Sequence, residues 1–324
     1  MRPFEPQPLL RNAHAQTFAY ALWRRNFARL PRAIAREFEV EPGTRIRGEC
    51  HWQPQPQQRP TLVLVHGLEG SSESGYMLGI AERAFAAGWN AIRLNQRNCG
   101  GTELLTPTLY NSGLSGDYSA VLAELIERDK LPEIFFAGYS MGGNLVLKMA
   151  GDSGAAAPRQ LRGIAAVCPP LELAACADAV ALPANFVYEQ RFVSSLKGRM
   201  ERKAMLFPGK YDLSGLAAVR TLREFDDVIT ATYCGFRDAS DYYHRSSALR
   251  VAGNIRVPTL VLVAQDDPFV PLENFQDPAI TGNPHITVIA PSHGGHCAFI
   301  SRHGGDERFW AEARVLEFCR TLTQ

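Results

Sequence analysis

A doubly wound α/β domain, its sheet mostly parallel and flanked by helices on both faces, is the fold class this chain predicts. Three observations carry it. Short runs of Val, Leu and Ile without polar alternation, such as Thr61 to Gly67 (TLVLVHG), read as strands buried on both faces. Between these runs lie segments with apolar residues at helical spacing, so strand and helix alternate as crossover connections in a parallel sheet require. The alternation breaks once, from Val167 to Pro258, where helical patterns alone are found.

In chain order, the N-terminal segment (residues 1–55) places Trp23, Phe27 and Leu30 on one helical face ended by Pro31, which predicts a short helix packed onto the domain. Gln53 to Pro60 (QPQPQQRP) predicts an exposed turn before the first strong strand. Tyr76 to Ala87 sets Met77, Ile80, Ala84 and Phe85 at helical spacing and stops at Gly88. Asn90 to Leu94 is the second strand and leads into a Gly-rich stretch, NQRNCGGTE. Gly116 to Arg128 is a helix, Glu133 to Ala137 the third strand, Asn144 to Ala150 a helix and Leu161 to Val167 the fourth strand. Tyr188 to Met205 and Leu216 to Phe225 supply helical pattern within the long gap. A structureless loop of that length is rare, so residues of roughly 171–250 are expected to form a helical cap over the carboxyl edge of the sheet, where ligands bind in such folds. Connecting helices with no lid role are the ordinary alternative. Pro258 to Ala264 and His285 to Ala290 are the last strands, and Glu307 to Leu322 a closing helix, which makes 1–324 one domain.

Composition narrows the function. Lys+Arg 34 against Asp+Glu 33 leaves a net charge of +1, too little for a field that gathers nucleic acid or an anionic membrane. A hydrophobic content of 46% excludes a disordered or collagen-like chain. The seven cysteines form no C-x-x-C pair and, being odd in number, read as reduced core thiols in a cytoplasmic compartment. The N-terminus lacks the unbroken apolar stretch of a secretory signal, and Gly163 to Leu182, the most apolar region, is interrupted by Pro169, Pro170, Glu172 and Asp178, so no transmembrane segment is expected. With no Walker loop, G-x-G-x-x-G, H-E-x-x-H or EF-hand pattern, no cofactor or metal is expected either. The oligomeric state has no signature here.

The strongest local signal is Gly138-Tyr139-Ser140-Met141-Gly142-Gly143, which fits G-x-S-x-G between a strand and a helix. A serine on so tight a turn needs neighbours without side chains, and the helix that follows offers free N–H groups to an anion. A hydroxyl is a weak nucleophile and needs a base oriented by a carboxylate, in the order Ser, acid, His. Asp266 and Asp267 follow the strand at Pro258; Asp267 is the favoured acid because it stands directly before Pro268, where the chain leaves the sheet, with Asp266 capping the turn. Of the histidines after it, His285 begins a strand, His293 orders a Gly-rich loop, His303 is solvated and His296 is the favoured base. The negative oxygen of a tetrahedral intermediate needs two donors, assigned to the N–H groups of Leu68, after the first strong strand, and Met141.

Strand-His66-Gly67, Gly-Tyr-Ser-Met-Gly-Gly, Asp-Asp-Pro-Phe and His-Gly-Gly-His together resemble an α/β-hydrolase. The chain more narrowly resembles the YheT-like branch, hydrolases related to the animal abhydrolase-domain lipases and esterases. The narrower match rests on Leu10 to Thr17, His66-Gly67-Leu68-Glu69-Gly70, Asn95 to Gly101, Phe225-Asp226, Asp241-Tyr242-Tyr243 and Asp266-Asp267-Pro268-Phe269. Ala13, Asn98 and Ala298 depart from the usual pattern of Pro, Gly and Gly at those places and leave the Ser140, Asp267 and His296 set intact. The resemblance implies ester hydrolysis through an acyl-enzyme, with a small-molecule ester, lipid esters included, as the partner. An acyltransferase using the same serine, or a non-catalytic ligand-binding protein of the same fold, is the alternative.

Overall fold

The computed structural model describes residues 2–323. Eight strands form one sheet: β1 (Ile34–Glu41), β2 (Thr44–His51), β3 (Thr61–Val65), β4 (Asn90–Leu94), β5 (Ile134–Tyr139), β6 (Leu161–Val167), β7 (Thr259–Leu262) and β8 (Ile286–Ile289), in the spatial order β1-β2-β4-β3-β5-β6-β7-β8. From β4 across to β8 every neighbouring pair is parallel, while β1 and β2 form an antiparallel hairpin whose second strand runs antiparallel to β4. Every residue of β3, β4 and β5 is buried, which is why these strands read as unbroken apolar runs.

Alternate side chains of each strand enter opposite layers. Val63 and Val65 pack with Val121 and Leu125 of α3 (Ser115–Glu127) and Leu145 of α4 (Met141–Ser153). Leu62 and Leu64 pack on the other face with Met77 and Ile80 of α2 (Gly75–Ala86) and Val315 of α11 (Trp310–Thr321). Burial of each such side chain contributes roughly 1.5–3 kcal/mol.

Between β6 and β7 the chain forms α5 (Leu173–Val180), α6 (Phe186–Leu206), α7 (Leu222–Phe225), a π-helical turn over Asp226–Ala231, α8 (Thr232–Cys234) and α9 (Ala239–Ser246). These helices share a small core of their own, including Val193, Met200, Phe225 and Ile229. The segment sits on the loops that leave β3 and β4 at their carboxyl ends: Arg199 of α6 pairs with Glu69, and Lys203 donates to Asn98 Oδ1 at 2.7 Å. A short helix α10 (Pro278–Thr281) precedes β8.

One expectation for the N-terminal segment is corrected. The helix there is α1 (Ala13–Leu22), and Trp23 to Leu30 is not helical. Asn12 caps α1, its side chain accepting from Ala15 N at 3.0 Å, whereas the later stretch is pulled onto the domain by tertiary contacts: Arg25 pairs with the buried Glu312 of α11, and Trp23 packs edge-on against Phe309. The β1–β2 hairpin was not anticipated, although Phe38, Val40 and Ile46 alternate with charged residues around a Pro42-Gly43 turn. That hairpin turns Phe38 and Ile46 into the core and leaves its arginines and glutamates outside. His303 is not merely solvated: its Nε2 lies 3.4 Å from Glu5. All seven cysteines are free thiols, and among the described residues no helix is long and apolar enough to cross a membrane.

Candidate active site

Ser140 stands between β5 and α4 with φ +52° and ψ −124°, a conformation costly for any residue with a Cβ. The surroundings impose it. A Cβ on Gly142 would collide with the carbonyls of Val65 and His66, so α4 packs against the end of β3 through bare backbone. On the other side a Cβ on Gly67 would stand 3.0 Å from Ser140 Cβ and 3.2 Å from the Tyr139 carbonyl, so the loop after β3 lies directly against the serine.

The chain brings Ser140, His296 and Asp267 into one hydrogen-bonded line. Ser140 Oγ lies 2.9 Å from His296 Nε2, and His296 Nδ1 lies 2.9 Å and 3.1 Å from the two oxygens of Asp267. The distances fit the tautomer in which Nδ1–H donates to the carboxylate and Nε2 accepts from the serine. Asp267 is fully buried and accepts further bonds from Phe269 N (2.9 Å) and Val270 N (3.1 Å). It therefore caps the turn itself, a task the sequence had assigned to Asp266. Asp266 instead holds the histidine loop, accepting from Gly295 N at 2.9 Å and lying 3.4 Å from His293 Nδ1. Burial by itself would push the His296 imidazole down, but the adjacent Asp267 carboxylate outweighs it and holds the ring well above the usual histidine range.

Leu68 and Met141 flank the serine, both lining the cavity that Ser140 and His296 share. Among the described residues neither N–H donates to a protein acceptor. His66 fixes the start of the Leu68 loop: Nδ1 bonds the Gly67 carbonyl at 2.8 Å and Nε2 accepts from Gln96 N at 3.1 Å. Complete burial pushes its pKa down to about 4, so it is a neutral structural imidazole.

Several residues that support the site escaped the sequence reading. Thr17 Oγ1 on α1 accepts from the His296 backbone N–H at 2.9 Å, and the buried Gln16 side chain accepts from Ile300 N at 2.8 Å, so the N-terminal helix clamps both ends of the histidine loop. Both belong to the Leu10 to Thr17 motif, which the resemblance singled out without giving these two residues a task. The Phe269 ring packs 4.7 Å from the His296 ring and is itself braced edge-on by Tyr188. Cys168, Cys297 and His296 have ligand atoms within 4.8 Å of one another, the one such group among the described residues. Both imidazole nitrogens already face Asp267 and Ser140, and Cys297 N donates to Cys168 Sγ at 3.3 Å, so this group fits packed thiols better than a metal centre.

Two chambers meet at Ser140. One is apolar, runs beneath the helices between β6 and β7, and is lined by Leu109, Val180, Leu196, Met200, Phe225 and Ile229; its wall also includes Asp226, whose carboxylate accepts from Thr230 and Tyr243 at 2.7 Å each. The other, between α1 and α6, is more polar and is lined by Tyr20, Tyr76, Arg25 and Arg191. The arrangement can activate the hydroxyl, carry its proton and receive a negative oxygen beside a pocket that accepts an apolar chain.

Comparisons with known proteins agree with this architecture. A family profile described as alpha/beta hydrolase fold matches residues 60–302. YheT of Escherichia coli, named as an inferred esterase, is 32% identical over 99% of this chain and 94% of its own length. A phospholipase of Mus musculus is 28% identical over 75% of this chain and 59% of its own. The solved structure of an esterase from Pyrococcus furiosus superposes with a TM-score of 0.62 at 15% identity, covering 93% of this chain and 98% of that one, which speaks for the fold alone. The chain belongs to the α/β-hydrolase fold family, in its esterase- and lipase-like YheT branch.

Proposed function

We propose that the protein is a serine hydrolase that cleaves carboxylic esters through an acyl-enzyme intermediate. The observation that carries the reading is the unbroken line from Ser140 Oγ through His296 to a buried Asp267, with two unpartnered N–H groups beside it. His296 Nε2 takes the Ser140 proton as the oxygen attacks the ester carbonyl, and Asp267 stabilises the imidazolium. The N–H groups of Leu68 and Met141 receive the negative oxygen of the tetrahedral intermediate; one such donor is worth about 2.7–4 kcal/mol of barrier. His296 then protonates the departing alcohol, and a water activated by the same nitrogen releases the acid and restores the serine.

Specificity follows from the chambers. The segment of roughly 171–250 acts as a cap whose α6 and π-helical turn wall the apolar chamber, so an unbranched acyl chain lies there and the alcohol leaves through the polar chamber between α1 and α6. Uncharged esters of short or medium acids suit an apolar chamber with a buried carboxylate in its wall. The phospholipase of Mus musculus and the monoacylglycerol lipase of Saccharomyces cerevisiae among the relatives extend the range to lipid esters.

The test is a fluorophosphonate label on the wild type and on Ser140→Ala, followed by a series of esters from acetate to palmitate. Labelling of the wild type alone, with turnover of part of the series, is expected. Labelling that persists in the alanine variant overturns the nucleophile, and absence of turnover across the series overturns ester cleavage.

A further inference from the structure

We propose that Glu69 is a positioning residue: its buried pair with Arg199 ties the loop that carries the Leu68 N–H to α6, so that the helical segment above the sheet holds the oxyanion pocket in register. The inference rests on the acyl-enzyme reading and gives a task to a residue that reading leaves unused. Glu69 immediately follows Leu68 and has φ +56°, a left-handed conformation a glutamate does not adopt without compensation. Its carboxylate supplies the compensation. Oε1 accepts from Tyr110 OH at 2.5 Å and from Arg199 Nε at 2.8 Å, while Oε2 accepts from Arg199 Nη2 at 3.2 Å and from the Ser195 hydroxyl.

The pair is largely withdrawn from water, with the Ser195 side of the carboxylate facing the polar chamber. The Glu69 and Arg199 side chains are only 7% and 9% exposed, and the remaining arm of the guanidinium donates to the Asn98 carbonyl on the loop after β4. The Arg199 guanidinium also stands 5.3 Å from the Tyr110 ring centroid. Burial would raise the Glu69 carboxyl, but the Arg199 guanidinium holds it below the usual range, so the pair stays ionised. Three elements far apart in sequence thus meet at the Glu69–Arg199 pair: the loop of the Leu68 donor, the loop of Asn98 and Tyr110, and α6 with Ser195 and Arg199. Leu68 itself presents only an apolar side chain, so the polar tether of this loop on its α6 side lies one residue on. Lifting α6 would take Arg199 away from Glu69 and leave the left-handed turn after Leu68 without its tether, so the seating of α6 over the apolar chamber and the alignment of the donor are coupled. Arginine is required for its planar fork, which engages both carboxylate oxygens at once.

The experiment compares wild type with Glu69→Gln, Arg199→Met and Arg199→Lys. Active sites are counted by fluorophosphonate labelling; kcat and KM are measured on one ester, and affinity is measured for an alkyl boronic acid, which adds to a serine hydroxyl as a tetrahedral anion. For Glu69→Gln and Arg199→Met, kcat per labelled site should fall roughly tenfold to a hundredfold, the scale of a donor displaced by about an ångström. KM should change less than the boronate affinity, which should weaken by the same factor as kcat. Arg199→Lys should recover only part of the loss. A kcat per labelled site equal to wild type, or a loss of kcat with boronate affinity unchanged, overturns the proposal, because damage to folding alone lowers the number of active sites and not their quality. A wild type that neither labels nor turns over ester overturns the acyl-enzyme reading itself.

Discussion

At the scale of single residues, the histidine governs the response to pH. His296 must be neutral to accept the serine proton, and Asp267 holds it charged to an unusually high pH. Activity should therefore fall as pH drops through a value above the ordinary histidine pKa of about 6.5. Asp267→Asn should move this acidic limb of kcat/KM downward and lower kcat by roughly 10⁴-fold, since the tautomer is no longer fixed. Asp266→Asn should leave the limb where it is. The same two residues show where sequence reasoning ran out. The exit of the chain at Pro268 favoured Asp267 over its neighbour as the acid, but which of the two caps the turn depends on which way that turn points each carboxylate. The chain settled that by giving Asp267 the N–H groups of Phe269 and Val270, and Asp266 that of Gly295.

At the scale of elements, the turn from β5 into α4 is the least tolerant part of the molecule. Gly142→Ala would drive a methyl group into the carbonyls of Val65 and His66, where no side chain can rotate away. The expected cost is about 3 kcal/mol or more of unfolding free energy, measured by denaturant titration, with loss of activity even in the folded fraction. The apolar chamber is more forgiving. Leu196→Trp should narrow it and reduce kcat/KM for long-chain esters at least about tenfold relative to acetate, measured per folded molecule. The central strands and the helices between them were legible because burial on both faces demands continuous apolar runs, and helices on a sheet demand one apolar stripe. The β1–β2 hairpin was missed for the opposite reason. One face of it is wet, so its charged residues dominated the reading and hid the alternation of Phe38, Val40 and Ile46. The short helix was expected over Trp23 to Leu30 on periodicity, yet periodicity carried no information about the capping Asn12 or the distant Glu312 that draws Arg25 away.

At the scale of the whole molecule, acid should loosen the fold before it protonates most of the paired carboxylates. His66 is buried and neutral with a pKa near 4, so the unfolded chain binds a proton there between about pH 6.5 and 4 that the folded chain refuses. Its contribution is present above pH 6.5 and is lost as pH falls toward 4, by up to roughly 3 kcal/mol. Denaturant midpoints should fall between about pH 6 and pH 4.5, where His51, also pushed down to about 4, adds to the effect and the charged His296 no longer opposes it, and His66→Gln should reduce that slope. The general position of the site, at the carboxyl edge of a parallel sheet, was readable from the order of Ser140, Asp267 and His296. The support from α1 was not, because a contact between residues 17 and 296 spans 279 positions and leaves no local trace.

That clasp between Thr17 and His296 has a consequence for how the protein comes into being. A ribosome delivers the helix first and the loop it must grip some tens of seconds later, at about 5–20 residues per second. Throughout that interval a nascent chain can already carry Ser140 on a partly assembled sheet with no imidazole beside it. Until the loop around His296 has been made and has docked against α1, the Ser140 hydroxyl has no base beside it.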